Sequence, residues 1–93
     1  MMNLYLLTQS VNRGYDTYDS CVVAAESEAE AVRMHPGGTR VWSDALLWVR
    51  PDGNTDDYAM WDWCHPSQVD CSLVGVAHES LPVGVLIASY NAG

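Results

Sequence analysis

The chain has no lysine and no phenylalanine, and its cationic side chains are limited to four arginines among 93 residues. Twelve acidic residues oppose those arginines and give a formal net charge of −8. Binding to nucleic acid or to an anionic membrane surface depends on clustered basic side chains, so this composition disfavours it. The balance favours a cation, a basic protein partner, or an acidic surface that serves only solubility.

Long apolar runs and paired cysteines are also lacking. No stretch approaches the roughly 20 apolar residues that span a bilayer, and the apolar run at residues 4–7 is too short for a signal peptide. Cys21, Cys64 and Cys71 are an odd number of cysteines, which argues against a secreted disulfide framework. We therefore expect a soluble, intracellular protein in which residues 1–93 form a single domain.

The clearest structural pattern lies near the N-terminus. Residues 20–25 (SCVVAA) form a short apolar run that predicts a buried strand. Ser27 stands three residues before Glu30, which is the spacing of a helix capping box. Pro36 and the two glycines after it end any helix that begins there. The segment predicts a strand followed by one short helix, over about residues 28–35.

Three further segments predict strands: residues 3–9, 69–77 and 84–90. The first is apolar on both faces and is expected to be central, and the second alternates, with its odd-numbered residues on an inward face. Residues 39–50 fit neither period and favour an irregular strand, with an extra hairpin as the alternative, while residues 55–65 suggest a short strand or turn with one exposed ring. The order predicts an α+β fold: a mostly antiparallel sheet of four to five strands with one short helix packed on it.

The residues around Cys64 suggest two kinds of chemical site, a zinc site and a nucleophilic cysteine. Cys64, His65, Cys71 and His78 are zinc-type ligands, but their spacing matches no zinc signature. Cys64 could be an exposed nucleophile beside His65, but neighbouring side chains of an extended chain point to opposite sides. We expect no metal site, no cofactor and no catalytic residue, with Cys21 a small buried apolar side chain.

Acids and large rings concentrate in two segments that the sequence predicts to be loops, residues 15–19 and 52–63. The acids of the second loop lack the glycine and glutamate of a calcium loop. Rings flanked by acids are typical of surfaces that bind arginine-rich partners, although core tryptophans and solvated acids give the same composition. The predicted partner-binding residues are Tyr15, Asp16, Tyr18, Asp19, Asp52, Asp56, Asp57, Tyr58, Trp61, Asp62 and Trp63.

Both ends of the chain resemble a family of small, uncharacterised bacteriophage and prophage proteins. The segments NLYLLTQ, GYDTYDSCVVAAESEAEAVRMHP and GVLIASYNAG carry the resemblance, and residues 37–66 do not share it. The family has no assigned catalytic motif, so no functional residue transfers. The resemblance implies a phage gene expressed in the cytoplasm of a bacterial host.

The leading hypothesis is a non-enzymatic phage anti-defence protein, similar in style to anti-CRISPR proteins. It would bind a basic surface of a host nucleic-acid-handling protein, without contacting nucleic acid or a membrane itself. One alternative is a protein that sequesters a nucleotide signal between aromatic rings, with Arg13, Arg33, Arg40 and Arg50 lining one pocket. Another is a structural or assembly role in the virion. Sheet edges and exposed rings are compatible with a homodimer, although no pattern specifies one.

Overall fold

The structure is a computed structural model that describes residues 2–92. In chain order its elements are β1 (Asn3–Thr8), β2 (Thr17–Ala25), α1 (Glu28–Ala31), β3 (Val41–Ser43), β4 (Leu47–Val49), α2 (Ala59–Asp62), a 3₁₀ turn (Pro66–Gln68), β5 (Asp70–Val76) and β6 (Gly84–Asn91). The main sheet has four antiparallel strands in the order β5-β1-β2-β6, and β3 and β4 pair separately as a hairpin. The predicted α+β class, mostly antiparallel with a short helix, is confirmed.

The alternation of side chains in β1 and β2 defines the two faces of the main sheet. Tyr5 and Leu7 are buried on one face, opposite Val23 and Cys21 of β2, which are buried with them. The segment from α1 to α2, hereafter the covering layer, packs on this face and contributes Ala31, Trp42, Trp48 and Ala59 to the core, and Trp63 directly after α2 completes it with Ala25 of β2. As predicted, β1 is a central strand and Cys21 is buried.

The first helix begins where the sequence indicates but is shorter. Ser27 is its N-cap, with an extended backbone and a hydroxyl that accepts the Glu30 amide at 3.1 Å. The helix ends at Ala31 rather than near residue 35, because Met34 forms an isolated β-bridge with Val41 and so leaves helical geometry. No helix within residues 2–92 combines the length and apolarity needed to cross a membrane.

The middle of the chain differs most from expectation. Residues 39–50 form the β3–β4 hairpin, in which Val41 pairs with Val49, so the hairpin alternative holds and the single irregular strand does not. Residues 55–65 contain the helical turn α2 rather than a strand. Its amides donate four residues back, from Trp63 to the Ala59 carbonyl at 3.2 Å, for example. Trp61 is the exposed ring that was expected.

Aromatic edge-to-face contacts hold the covering layer together. Trp48 packs against Trp42, with ring centroids 5.2 Å apart, and against His35, at 5.3 Å. The Trp48 indole N–H also donates to the Cys64 carbonyl at 3.2 Å. Because such rings combine a large buried area with a specific geometry, they fix the hairpin relative to the chain that follows α2.

The inward face expected for β5 is largely absent. Cys71 packs against the core, but Leu73 on the same predicted face is 64% exposed. A register shift relative to β1, between Leu4 and Tyr5, inserts Val74 as an extra residue, so Leu73 keeps the face of Cys71 and the alternation changes only from Gly75 onward. In addition, β5 is an edge strand, so its outer side has no neighbouring strand among the described residues.

Alanine substitution of one buried and one exposed tryptophan tests the packing of this core. Trp48→Ala should lower the free energy of unfolding by about 3–5 kcal/mol, because it leaves a large cavity around a side chain that is 0% exposed. Trp61→Ala, which removes the same indole from a 69% exposed position, should change it by about 0.5 kcal/mol or less. Urea unfolding followed by circular dichroism measures both, and equal losses would contradict the described packing.

Candidate functional site

A loop and a short helix, distant in sequence, lie together at one end of the main sheet. The loop that connects β1 to β2 is organised by Gln9, whose side-chain oxygen accepts the amides of Val11 and Asn12, each at 2.8 Å. The Asn12 side chain donates to the carbonyl oxygens of Met60, at 2.9 Å, and of Trp63. Asn12 therefore fastens the loop to α2.

An open groove of about 520 Å³ lies between these two segments and is lined by residues 11–17, Tyr58 and Trp61. We call it the aromatic groove. Its rings are unusually accessible: Tyr15 is 76% exposed, Tyr58 55% and Trp61 69%. Exposed large apolar side chains that cluster, rather than scatter singly, are typical of interaction sites. The groove is therefore the candidate functional site.

The acid of this groove, Asp16, is held in a defined position. Its backbone is left-handed, with φ of 62°, and its amide donates to the Asn91 carbonyl at 2.6 Å. The Tyr90 hydroxyl donates to the Asp16 carboxylate at 3.4 Å. Partial desolvation, and then the negative charge of Asp16, raises the pKa of the Tyr90 phenol. A phenol is protonated at neutral pH even at its ordinary pKa of 10.0, and the upward shift extends its role as a donor to Asp16 to higher pH.

The structure brings together four of the predicted binding residues in this groove: Tyr15, Asp16, Tyr58 and Trp61. Asp57 is exposed directly beside Tyr58 in the chain. Asp52 is exposed, but it lies in the turn after β4 and outside the groove lining. Tyr18 and Asp19, predicted in a loop, belong to β2 instead, where Tyr18 is half-buried against the ring of Tyr90.

Three of the predicted binding residues are buried and do not form part of an exposed surface. Asp56 is 7% exposed, Asp62 5% and Trp63 0%. Trp63 is part of the hydrophobic core, and the two carboxylates are buried because each has cationic or hydrogen-bonding partners brought from elsewhere in the chain. Their predicted place on an exposed surface was therefore wrong.

Asp56 binds two arginines. Its Oδ2 lies 3.0 Å from Arg40 Nε and 3.9 Å from Arg50 Nε. Burial raises the pKa of the Asp56 carboxyl, but the hydrogen bond and charge of Arg40, with the charge of Arg50, outweigh it and hold the pKa below its ordinary value of 3.8. Asp56 is thus a structural anion that ties the β3–β4 region to the start of α2.

Asp62 forms a buried pair with His35. The Nε2–Oδ1 distance is 2.9 Å, and the side chains are 0% and 6% exposed for His35 and Asp62. The Gly37 amide donates to His35 Nδ1 at 2.9 Å, so this nitrogen carries a lone pair. The proton therefore lies on Nε2 and is donated to Asp62. Both ring nitrogens are engaged, which leaves neither for a substrate.

The four arginines do not line one pocket. Arg33 and Arg40 lie on a cavity of about 340 Å³ beside Gly38, Met34 and Val85, whereas Arg13 lies on the aromatic groove. Glu30 also lines this cavity, and no aromatic ring other than that of His35 is among the described lining residues. The arrangement expected for a nucleotide, with rings and four arginines in one pocket, is therefore not formed.

The cysteines are poorly suited to nucleophilic chemistry. Cys64, expected to be exposed, is 1% exposed, and its carbonyl accepts a hydrogen bond from the Trp48 indole N–H. Burial raises the pKa of the thiols of Cys21 and Cys64 to about 12, and for Cys64 the charge of Asp70 adds to the effect. Within residues 2–92, no group of three or more His, Cys, Asp or Glu side chains is arranged to hold a metal ion.

The residues that shape the site most were missed in the sequence. Gln9 was assigned to the end of the first strand, Asn12 looked like an ordinary turn residue, and His35 looked like the end of a helix. Their roles depend on partners far along the chain: Asn12 reaches Met60 of α2 across 48 positions, and His35 reaches Asp62 across 27. The local signal was limited to two amide side chains, Gln9 and Asn12, in or next to a turn-rich loop.

Comparison of the chain with protein-family models, with curated proteins and with solved structures found no match in any of the three. Arguments about function therefore depend on the chemistry of the site.

Thiol reactivity tests the description of the cysteines. In the native protein near pH 8, the buried thiols of Cys21 and Cys64 should react with a disulfide reagent far more slowly than Cys71, which is partly exposed. All three should react once the protein is unfolded. Rapid labelling of Cys64 in the folded state, located by mass spectrometry, would contradict its burial and reopen a nucleophilic role.

Acid unfolding tests the Asp56 site. A carboxyl whose pKa is lowered by folding stabilises the protein above its ordinary value of 3.8, and this contribution is lost as the pH falls below that value. Asp56→Asn should therefore be less stable than the natural protein at neutral pH, with the gap narrowing below about pH 4. Asp52→Asn, a matched change in the exposed turn, should have little effect. A gap for Asp56→Asn that is independent of pH would contradict the pairing with Arg40 and Arg50.

Proposed function

We propose that this chain is a non-enzymatic phage anti-defence protein that binds a basic surface of a host nucleic-acid-handling protein through the aromatic groove. One observation carries the proposal: two segments far apart in sequence converge to expose Tyr15, Tyr58 and Trp61 around Asp16. Because the segments are tied by Asn12, the rings are arranged before a partner arrives. Pre-arranged rings lose less entropy on binding.

The groove matches arginine in two ways. The faces of Trp and Tyr rings attract guanidinium groups, and arginine binds carboxylates through paired hydrogen bonds. Asp16 supplies a carboxylate in the lining, and Asp57, outside the lining but exposed next to Tyr58 in the chain, supplies a second. Interface hot spots are enriched in tryptophan, tyrosine and arginine. An arginine-rich surface that normally contacts nucleic acid offers the complementary set.

Charge over the whole molecule supports the same class of partner. Three of the four arginines are already paired with acids, Arg33 with Asp44, and Arg40 and Arg50 with Asp56. Ten of the twelve acids lie outside these three ion pairs, and the chain as a whole has a net charge of −8. Arg13 lies in the groove wall, so attraction comes from the rings and the overall field rather than from the lining alone.

The state of the thiols and of His35 supports a binding role over catalysis. Nucleophilic catalysis needs a deprotonated group beside an oriented base. The buried thiols of Cys21 and Cys64 remain protonated, and both ring nitrogens of His35 are already hydrogen-bonded, to Asp62 and to the Gly37 amide. The competing function is capture of a small anion in the cavity beside Arg33 and Arg40. The positive charges of the two arginines favour the binding of an anion in this cavity, and the negative charge of Glu30 opposes it.

Affinity capture from bacterial lysate, with elution by a salt step, provides the test. We expect a nucleic-acid-handling host complex to be retained and then released as salt screens the charges. Trp61→Ala should lower the measured affinity for that complex by about 30-fold, corresponding to a hot-spot loss of about 2 kcal/mol. Asp16→Asn with Asp57→Asn should slow association and reduce its dependence on salt.

A matched variant controls for overall charge. Glu26→Gln with Glu79→Gln removes the same two negative charges from exposed positions at the opposite end of the main sheet. This control should bind almost as the natural protein does. If it weakens binding as much as the Asp16 and Asp57 pair, the groove is not the binding surface. Retention of no host complex, together with heat released on calorimetric titration of a cyclic nucleotide, would favour the small-anion function.

A further inference from the structure

Arg13 differs from the other three arginines because it has no acidic partner. Each of the other three lies 3.9 Å or less from an aspartate carboxylate. Arg13 forms no ion pair with any acid among residues 2–92, although the chain has twelve acids for four arginines. Its side chain is exposed, so the guanidinium is accessible to an anion from a partner.

A second cavity adjoins the aromatic groove along the loop that contains Arg13. It has a volume of about 350 Å³, and its lining shares Asn12, Arg13 and Thr17 with the lining of the groove. Every residue described in its lining is polar, so we call it the polar cavity. A partner that covers both cavities meets aromatic rings on one side of Arg13 and polar groups on the other.

The two acids that line these cavities with Arg13 are directed to other donors. Asp16, in the aromatic groove, accepts the Tyr90 hydroxyl at 3.4 Å. Asp19, in the polar cavity, accepts the Ser20 hydroxyl at 2.9 Å through Oδ1. Neither carboxylate is within ion-pairing distance of Arg13, which therefore keeps its full hydrogen-bonding capacity for a partner.

The backbone on both sides of Arg13 is held in place. The amide of Asn12 donates to the Gln9 side chain at 2.8 Å. The carbonyl of Gly14 accepts the Thr17 hydroxyl at 2.7 Å. Arg13 thus extends from a fixed point of the loop, which reduces the entropy lost when its side chain binds.

We propose that Arg13 is a specificity-determining residue, which pairs with a carboxylate that the partner carries beside the arginine bound by the rings. The inference rests on the proposed function, because it names a second feature of the same partner surface. A guanidinium binds a carboxylate through two parallel hydrogen bonds. Arg13 therefore favours surfaces on which arginines and acids alternate, and it repels surfaces of unbroken positive charge.

The charges around Arg13 favour a carboxylate over a phosphate. Asp16 and Asp19 line the cavities on either side of Arg13 and repel an anion, about twice as strongly for a phosphate monoester as for a carboxylate. The net charge of −8 acts in the same direction. A carboxylate that arrives beside an arginine adds no net negative charge, so the acidic chain does not exclude it.

Titration of the full chain with two synthetic peptides tests the proposal. One peptide alternates arginine with aspartate, and the other alternates arginine with asparagine, so only the carboxylates differ. Binding is followed by the shift of the Trp61 indole N–H signal in nuclear magnetic resonance spectra. Arg13→Gln should weaken binding of the aspartate peptide by about threefold, the effect of a partly exposed ion pair. The same variant should strengthen binding of the asparagine peptide, because it removes a cation that repels the peptide arginines.

Arg33→Gln is the matched control. It removes the same charge from a half-exposed side chain that belongs to neither lining. This variant should leave the preference between the two peptides unchanged.

The possible outcomes separate this inference from the proposed function. If Arg13→Gln changes both affinities in the same direction, or changes neither, Arg13 does not recognise a carboxylate and the inference is overturned. Binding of either peptide at Trp61 would then still support the groove as a site for arginine. If neither peptide shifts the Trp61 signal, both the inference and the proposed function fail. Binding of inorganic phosphate that Arg13→Gln abolishes would also overturn the inference, by assigning Arg13 to a phosphate ligand.

Discussion

The buried pair of His35 and Asp62 is the interaction on which the covering layer depends. It joins the chain that leaves α1 to the last residue of α2, with Nε2 and Oδ1 2.9 Å apart and hardly any contact with solvent. The Gly37 amide fixes the tautomer, and the rings of Trp48 and Tyr18 contact the imidazole edge-to-face. If one partner were removed, a buried polar group would remain unsatisfied, which costs more than the bond itself contributes.

The geometry of the aromatic groove depends on this buried pair. α2 has four residues and is too short to be stable alone, so its geometry comes from its contacts. Asp62 holds its inner side against His35, while Met60 and Trp63 accept from Asn12 on the side of the loop. Trp61 is thereby directed into the groove instead of the core, and the same short element serves both stability and recognition.

The strands and the first helix cap could be predicted because their signals are local: β1, β2 and β6 follow period-two or fully apolar patterns, and Ser27 acts within three residues. The middle could not, because the spacing of its tryptophans matches no single period and their pairing is non-local. The burial of two of the acids could not be predicted, for the same reason. Asp56 and Asp62 resemble their exposed neighbour Asp57 in sequence, and only partners 16 and 27 positions away bury them.

Native-state hydrogen exchange of the natural protein and of Asp62→Ala tests the central dependence most directly. If the pair orders the covering layer, Asp62→Ala should increase exchange at the amides of Asp62 and Trp63 that close α2, while the amides of β1 and β2 remain protected. Local opening of this kind would show that the groove is built on the buried pair. Unchanged protection of α2 would contradict the account and would assign the order of the groove to the tryptophan contacts instead.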